Sequence, residues 1–146
     1  MSLLSYGPLQ KDVLSCCADL GIQVISYSPL ALGILTNKYS LKEGLPSGLR
    51  GLAFRQLLPG AAPLLEELER VAEDLQCTSS QVCLAWCLSK NTIPIPGAKT
   101  VQQAQSNIGA LRVYDEGKLQ EQHVQALEQA ANKCSTKMVQ NIFQTN

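Results

Sequence analysis

Only two segments of this chain have the pattern of a β-strand, and helical patterns surround both. Within residues 21–33 an apolar run leads to Tyr27 and Ser28 before Pro29 ends the strand, and residues 92–96 form a shorter second strand. The alternation of helices and strands is typical of a parallel α/β fold. Parallel sheets contain several strands with both faces covered, so we expect that further strands are needed to complete the sheet.

Helical spacing of apolar residues and capping signals predict the remaining elements. The expected helices are residues 10–20 and 64–75, one opened by a capping box at Thr78, one opened by a capping box at Thr100 that ends near Gly109, and one around Val124. Residues 34–62 carry four glycines and two prolines and are predicted to form a long irregular connection, of the kind that serves as a functional loop or lid or is disordered.

Length and composition limit the classes of protein to which this chain can belong. The 146 residues are predicted to form one domain, 1–146, with 45% hydrophobic and only 16% charged residues. Twelve basic residues balance twelve acidic ones, which argues against nucleic acid as a partner. Neither a spanning segment nor a secretory leader is visible, so we expect no membrane partner and, by default, a cytoplasmic protein.

The cysteines and the single histidine predict neither a metal site nor a catalytic centre. The six cysteines include no Cys-x-x-Cys pair, and they are interpreted as small buried thiols in a reducing compartment. Cys83 and Cys87 fall near core positions of a helix, away from any evident base. His123 lies in a polar helical segment and is interpreted as a surface residue.

The first strand ends in residues that could contact a ligand. Ligands of parallel α/β proteins bind beyond the carboxyl ends of the strands. The Tyr27 ring would serve as a stacking platform, and the Ser28 hydroxyl and loop amides would donate to a phosphate. The alternative is a tyrosine packed under its neighbours and a serine that opens a turn before Pro29.

The second strand leads into a candidate anion site. Gly97 allows close backbone approach, and Lys99 adds a positive charge just before the helix that Thr100 caps. Unpaired amides and the macrodipole favour anions at such a helix start. The alternative is an ordinary strand-to-helix connection with a solvated lysine.

Three segments together resemble the aldo-keto reductases. Residues 26–39, Ser-Tyr-Ser-Pro-Leu-Ala-Leu-Gly-Ile-Leu-Thr-Asn-Lys-Tyr, resemble the seventh strand of that family and the loop after it. Residues 93–110 resemble the eighth strand and the cofactor-binding helix, and residues 80–86 are similar to the Gln-Val-Ala-Leu-Ala-Trp helix between them. Within that family, these segments most resemble the branch that contains the plant plastid reductases and the potassium-channel beta subunits.

The resemblance implies an α/β fold that is part of a TIM (β/α)8 barrel, namely its last two strands and their helices, and an NADPH cofactor. Carried over by position, Tyr27 would stack on the nicotinamide ring, and Gly97 and Lys99 would hold the adenosine 2′-phosphate. The other implied cofactor contacts are Ser28, Pro29, Leu30, Ala31 and Leu32 along the pyrophosphate, Lys38 and Arg50 from the loop over it, and Gln103 and Asn107 near the adenine. The family often has Glu where this chain has Ser106, which would weaken the adenine contact.

The catalytic residues that the family uses, a Tyr acid supported by Lys, Asp and His, have no counterpart in this chain. Neither Tyr6 nor Tyr39 nor Tyr114 matches the catalytic tyrosine. The resemblance therefore implies the C-terminal part of a reductase of small aldehydes or ketones that keeps cofactor contacts but is inactive alone, with open sheet edges that favour aggregation.

Two alternatives to the C-terminal part of an enzyme remain, and the compartment, the substrate and the oligomeric state stay open. A non-catalytic NADPH-binding or interaction module, a pseudoenzyme, is the first alternative, and a small open-sheet nucleotide binder is the second. A plastid location would apply if a longer parent protein carried a transit peptide. The substrate and the oligomeric state are not predicted.

Overall fold

Five α-helices flank two β-strands within residues 1–41 and 44–138, which the computed structural model describes. In chain order the elements are α1 (Pro8–Asp19), β1 (Val24–Tyr27), α2 (Leu49–Asp74), α3 (Ser79–Ser89), β2 (Thr92–Ile95), α4 (Val101–Asp115) and α5 (Glu121–Lys133). Two short 3-10 segments, Leu3–Ser5 and Ala31–Thr36, precede α1 and follow β1. The predicted order of helices and strands is confirmed.

The two strands pair in parallel, with Val24 opposite Thr92 and Tyr27 opposite Ile95. Helix α3 lies between them in sequence, so β1, α3 and β2 contain the crossover that a parallel pair requires. Strands of parallel sheets are usually covered on both faces, but Ile25 of β1 is 59% exposed. Helices cover only one face of this two-stranded sheet, and the residues on the other face remain in contact with solvent.

A buried hydrogen-bond relay joins the covered face of the sheet to α3. The Ser26 hydroxyl donates to Thr92 Oγ1 at 2.6 Å, and the Thr92 hydroxyl donates to the Cys87 carbonyl at 2.8 Å. Both hydroxyls are buried and satisfied, as buried polar groups must be to avoid a desolvation penalty. This relay fixes β1 and β2 relative to the end of α3.

Residues 37–41 and 44–48 lie outside α-helices and strands, as predicted, but helix α2 overturns the prediction of an irregular connection for residues 49–62. It begins at Leu49 and continues through Pro59 and Pro63 to Asp74. Its buried positions keep helical spacing across both prolines: Gly51, Phe54, Leu58, Ala61, Leu64, Leu68, Val71 and Ala72. The free energy gained by burying this stripe offsets the backbone hydrogen bonds that Pro59 and Pro63 cannot donate. In addition, the Thr136 hydroxyl donates a hydrogen bond to the Leu57 carbonyl at 2.8 Å.

The core lies where α2, α3 and α5 meet. Trp86 is fully buried in it, with the Tyr6 ring edge-on at a centroid distance of 5.0 Å. The Trp86 indole N–H donates to Glu128 at 3.2 Å, and Lys90 pairs with the same carboxylate at 2.6 Å. Cys83 and Cys87 are buried among these residues, as predicted, and Cys134 is buried as well. Cys16 is exposed and Cys17 and Cys77 are only partly buried, so the interpretation of all six cysteines as buried thiols was wrong for these three.

Two local predictions were wrong. Helix α4 continues past Gly109 to Asp115, and a Cβ at Gly109 would lie 2.2 Å from Gln81 Nε2. This glycine therefore permits close packing of α3 against α4 and does not end the helix. His123, predicted to lie at the surface, is 5% exposed: its Nδ1 accepts from the Gln120 amide at 3.1 Å, and its Nε2 lies 3.1 Å from Asp74 Oδ2.

Candidate functional site

The carboxyl ends of β1 and β2 lie side by side. Because Tyr27 pairs with Ile95 in a parallel register, the segments after the two strands leave the sheet at the same edge. Neighbouring strands are about 4.8 Å apart, so residues 28–33 and 96–100 start next to each other. We call residues 28–33 the first loop and residues 96–100 the second loop.

Tyr27 ends β1 on the open face of the sheet. Its side chain is 44% exposed and shares that face with Ile25, two residues earlier. Its carbonyl accepts a hydrogen bond from the amino group of Met1 at 2.7 Å. Burial lowers the pKa of that amino group below its usual value, an effect that the nearby Cys87 partly opposes.

The first loop has an unusual backbone. Ser28, Ala31, Leu32 and Gly33 all have positive φ, between 48° and 97°. Left-handed conformations of non-glycine residues cost energy and concentrate at binding and catalytic sites. Pro29 and Ala31 are buried and anchor the loop, Leu30 is partly buried, and the Leu32 side chain points to solvent. The strain therefore falls in the segment that was predicted to line a pyrophosphate.

Arg50 reaches the first loop from the first turn of α2. Its guanidinium donates to the Leu32 carbonyl and lies over the rings of Phe54 and Tyr39, at 5.1 and 5.7 Å from their centroids. A Cβ at Gly33 would approach Arg50 Nη2 to 2.6 Å, so the absence of a side chain there admits the guanidinium. The structure thus brings Arg50 to the predicted loop, although from a helix and not from an irregular segment.

Lys38 lies close to the same group of residues. Its ammonium is 5.8 Å from the centroid of the Tyr39 ring, which Arg50 also contacts, and Tyr39 packs edge-on against Phe54 at 5.6 Å. Two cations therefore share one aromatic ring beside the first loop. The sequence did not predict Tyr39 and Phe54 as site residues, although the helical spacing of Phe54 with Leu58 and Ala61 could have placed Phe54 on a buried face.

In the second loop, the two residues predicted to lie near the adenine fix the backbone. Gln103 Oε1 accepts from the Lys99 amide at 2.7 Å, and Asn107 Nδ2 donates to the Gly97 carbonyl at 3.5 Å. Thr100 Oγ1 accepts from the Gln103 amide at 3.2 Å and so caps α4. Only half of the predicted capping box forms at Thr100, because Gln103 binds the Lys99 amide and not that of Thr100.

Two sources of positive electrostatic potential lie at the second loop. The start of the 15-residue helix α4 presents its amide dipoles there, and the Lys99 side chain is exposed at the same place. Nothing lies within 4 Å of a Cβ placed on Gly97, so the backbone at this glycine is open to approach. Ser106 turns its carbonyl toward α3, where it accepts from Gln81 Nε2 at 2.9 Å.

Among residues 1–41 and 44–138, no cluster of three or more metal-ligating side chains occurs. In the same part of the chain, no helix is both long and apolar enough to cross a membrane.

Burial raises the pKa of the Cys87 thiol to about 12, and burial also raises the pKa of the Cys83 thiol. Burial therefore favours the protonated form of both thiols, which is the less nucleophilic form.

Known proteins resemble this chain over most of its length. The sequence profile described as "Aldo/keto reductase family" matches residues 2–132. The chain is 49% identical, over 99% of its length, to a chloroplastic pyridoxal reductase of Arabidopsis thaliana. It is 30% identical, over 75% of its length, to a Schizosaccharomyces pombe aldo-keto reductase whose name includes NADP(+). The chain spans 38% of the Arabidopsis protein and 36% of the yeast protein.

Proposed function

Because this chain belongs to the aldo/keto reductase family, we propose that it supplies the NADPH-binding part of a (β/α)8 reductase barrel. In this proposal β1 and β2 are the last two strands of the barrel, and the first and second loops hold the cofactor. The observation that carries the proposal is the shared edge: the strained first loop and the positive start of α4 follow two strands paired in register. Family members use nicotinamide cofactors for hydride transfer.

The end of β1, the first loop and two cations beside this loop would hold the nicotinamide and the pyrophosphate. The exposed ring of Tyr27 would stack on the nicotinamide. Ser28 to Leu32 would line the pyrophosphate through their backbone and the Ser28 hydroxyl, and Arg50 would add a charge-assisted hydrogen bond. The contact of the Arg50 guanidinium with the Leu32 carbonyl supports this role, because it positions the charge at the loop. Lys38, beside the same aromatic ring, would strengthen the attraction for phosphate.

Residues of the second loop would hold the adenosine half of the cofactor. Gly97 would allow close approach, and Lys99 together with the start of α4 would bind the 2′-phosphate. Gln103 and Asn107 would act first by fixing the loop, since their side chains contact the Lys99 amide and the Gly97 carbonyl. This would favour NADPH over NADH.

The chain alone would bind the cofactor without reducing a carbonyl. A catalytic acid needs a pKa near the working pH, whereas burial raises the pKa of the Tyr6 hydroxyl, an effect that Lys90 partly opposes. Tyr39 is packed against Phe54 and two cations. Both observations support the view that the acid and its supporting residues come from another part of the barrel.

For the complete barrel we propose a small aldehyde or ketone as the substrate. The Arabidopsis relative is named a pyridoxal reductase, so pyridoxal is the first aldehyde to test. That relative is also named chloroplastic, which makes a plastid the proposed compartment.

A fluorescence titration tests the cofactor proposal. NADPH is added to purified chain whose folding is verified by circular dichroism, and quenching of protein fluorescence and the shift of cofactor emission are followed. A saturable signal is expected, with no oxidation of NADPH when pyridoxal is added. A folded sample without a saturable signal would refute cofactor binding, and steady NADPH oxidation would refute the absence of the catalytic acid.

A further inference from the structure

We propose that protonation of His123 releases the cap at the start of α5, so that this residue is a pH-sensitive switch in the fold. Histidine is the side chain whose charge ordinarily changes near neutral pH, and His123 is the only histidine of the sequence. The inference is carried by the two hydrogen bonds of the ring and by its burial. It does not rest on the proposed function.

The two ring nitrogens of His123 have partners with opposite roles. Nδ1 lies 3.1 Å from the Gln120 amide, which can only donate. Nε2 lies 3.1 Å from Oδ2 of Asp74, and an ionised carboxylate can only accept. Both partners are satisfied by one tautomer of the neutral ring, with its hydrogen on Nε2 and a lone pair on Nδ1.

The contact between His123 and Gln120 caps α5. Gln120 directly precedes Glu121, the first residue of the helix, and His123 is the third helical residue. A side chain at this third position that accepts from the amide before the helix forms half of a capping box, in which Glu or Gln is the usual residue. Histidine supplies the same kind of acceptor, but it loses the acceptor when a second proton binds.

A protonated ring cannot keep this cap. Both nitrogens of an imidazolium carry hydrogens, so the Nδ1 hydrogen would face the N–H of Gln120 and two donors would oppose each other. The hydrogen bond from Nε2 to Asp74 persists, because the carboxylate accepts from either form of the ring. Protonation therefore breaks the contact with Gln120 and keeps the contact with α2.

Burial prevents the ring from turning away from Gln120. His123 is 5% exposed and lies where α5 packs against α2. The backbone before α5 has room to move, because it borders a cleft of about 360 Å³ whose lining includes Gln76, Lys118 and Gln122. We therefore expect the Gln120 amide to turn into this cleft, where water can accept its hydrogen bond.

Titratable groups of both signs surround the ring. Asp74 on α2 and Glu121 in the first turn of α5 favour a positive ring, whereas Lys118 and the amide dipoles at the start of α5 disfavour it. Lys118 is itself paired with Glu116 at 2.7 Å. Burial raises the pKa of the Cys77 thiol just after α2, an effect that Lys118 partly opposes, so this thiol stays neutral below pH 8. The release of the cap is therefore assigned to the donor on Nδ1 and not to a net charge around it.

NMR spectroscopy of the ¹⁵N-labelled chain tests the inference, because its single histidine gives one set of ring signals. At about pH 8, long-range ¹H–¹⁵N correlations should show the tautomer with hydrogen on Nε2. On lowering the pH to about 5, the Gln120 amide signal should shift together with the ring signals. The hydrogen-exchange rate of this amide, divided by the intrinsic rate at each pH, should rise at least about threefold.

Two variants separate the cap from the contact with α2. His123→Gln keeps an acceptor for the Gln120 amide but does not titrate, so this amide signal should stay constant over the same pH range. Asp74→Asn keeps an acceptor for Nε2 and removes the carboxylate charge. Because the Asp74 side chain is 57% exposed, this chain should fold, and its Gln120 amide should still be released when the ring is protonated.

Four results would overturn the inference. They are hydrogen on Nδ1 at about pH 8, a Gln120 amide that stays unchanged while the ring titrates, a ring that stays neutral until the chain unfolds, and the same amide titration in the His123→Gln chain. If His123→Gln did not fold, the unaltered chain and Asp74→Asn would still decide the question, because both report the ring and the Gln120 amide in one experiment. An amide release that disappears in Asp74→Asn would assign the effect to the ion pair and so contradict the role of the cap.

Discussion

The Arg50 guanidinium donates a hydrogen bond to the carbonyl of Leu32, eighteen residues earlier, and so joins the first turn of α2 to the first loop. The same guanidinium lies over the Phe54 and Tyr39 rings, which hold it in place. A cation that is fixed before the ligand arrives loses little conformational entropy on binding. This pair of residues therefore links the folding of α2 to the proposed pyrophosphate site.

Replacing Arg50→Ala should raise the dissociation constant for NADPH about tenfold, which corresponds to loss of about 1.4 kcal/mol from one charge-assisted contact. Fluorescence titration measures the change. Arg55→Ala is the matched control, since Arg55 is an exposed arginine of the same helix. Equal NADPH affinities for the Arg50→Ala chain and the unaltered chain would contradict a role for Arg50 in cofactor binding.

Replacing Lys99→Gln should reduce the preference for NADPH over NADH while leaving NADH affinity almost unchanged. The reason is that the lysine charge would act on the 2′-phosphate, which NADH lacks. Titrations with both cofactors give the ratio of affinities. Lys133→Gln, at the end of α5, controls for the general loss of one positive charge; a Lys99→Gln chain that keeps its full preference would contradict the assignment.

Replacing Ser106→Glu should tighten NADPH binding severalfold, because the resemblance implies a Glu at this position, whose carboxylate would contact the adenine in the proposed site. The side chain can change without loss of the contact that Ser106 makes with α3, since Gln81 binds its backbone carbonyl. The titration is compared with that of Ser106→Gln, which has similar length and no charge. Weaker binding by the Glu variant than by the Gln variant would argue against a site for adenine there.

Replacing Thr92→Val should destabilise the fold by about 1–3 kcal/mol, because the buried Cys87 carbonyl and Ser26 hydroxyl lose a partner. Urea unfolding followed by Trp86 fluorescence measures the free energy. Thr92→Ser keeps the hydroxyl and should recover most of the loss. A Thr92→Val chain that is as stable as the unaltered chain, or that loses less stability than Thr92→Ser, would show that the methyl group and not the relay stabilises the fold.

Stability should fall as the pH rises above about 9. Burial raises the pKa of Cys87 to about 12, against an ordinary value of 9.0, so the unfolded chain loses this proton before the folded chain does. The stabilisation is complete below pH 9 and is lost as the pH approaches 12, by up to about 4 kcal/mol. Urea unfolding between pH 8 and 10.5 should show a decline that is smaller in Cys87→Ala; identical pH profiles would contradict this origin.

The sequence predicted the elements with strong periodicity but not those that depend on tertiary contacts. Both strands and α3 follow from local pattern and capping. The length of α2 could not be predicted from its glycines and prolines, because burial of its stripe and the contact of Thr136 with Leu57 stabilise the helix. His123 was placed at the surface because its neighbours in sequence are polar, whereas Asp74, which lies next to it, is distant in sequence.

At the candidate site, the residue types were visible in the sequence but their arrangement was not. Tyr27 and Gly97 could be placed at strand ends by pattern alone. The approach of Arg50 to the Leu32 carbonyl depends on the start of α2 and on the absence of a side chain at Gly33. No local signal encodes such a contact.

An NMR titration of ¹⁵N-labelled chain with NADPH tests the central claim most directly. We expect saturable shifts of the amides of residues 28, 30–33 and 97–103, together with those of Tyr27 and Asn107, and smaller shifts with NADH in the second loop. The buried amides around Trp86 should not move. A folded chain whose spectrum stays unchanged at millimolar NADPH, or shifts confined to residues far from both loops, would contradict the account.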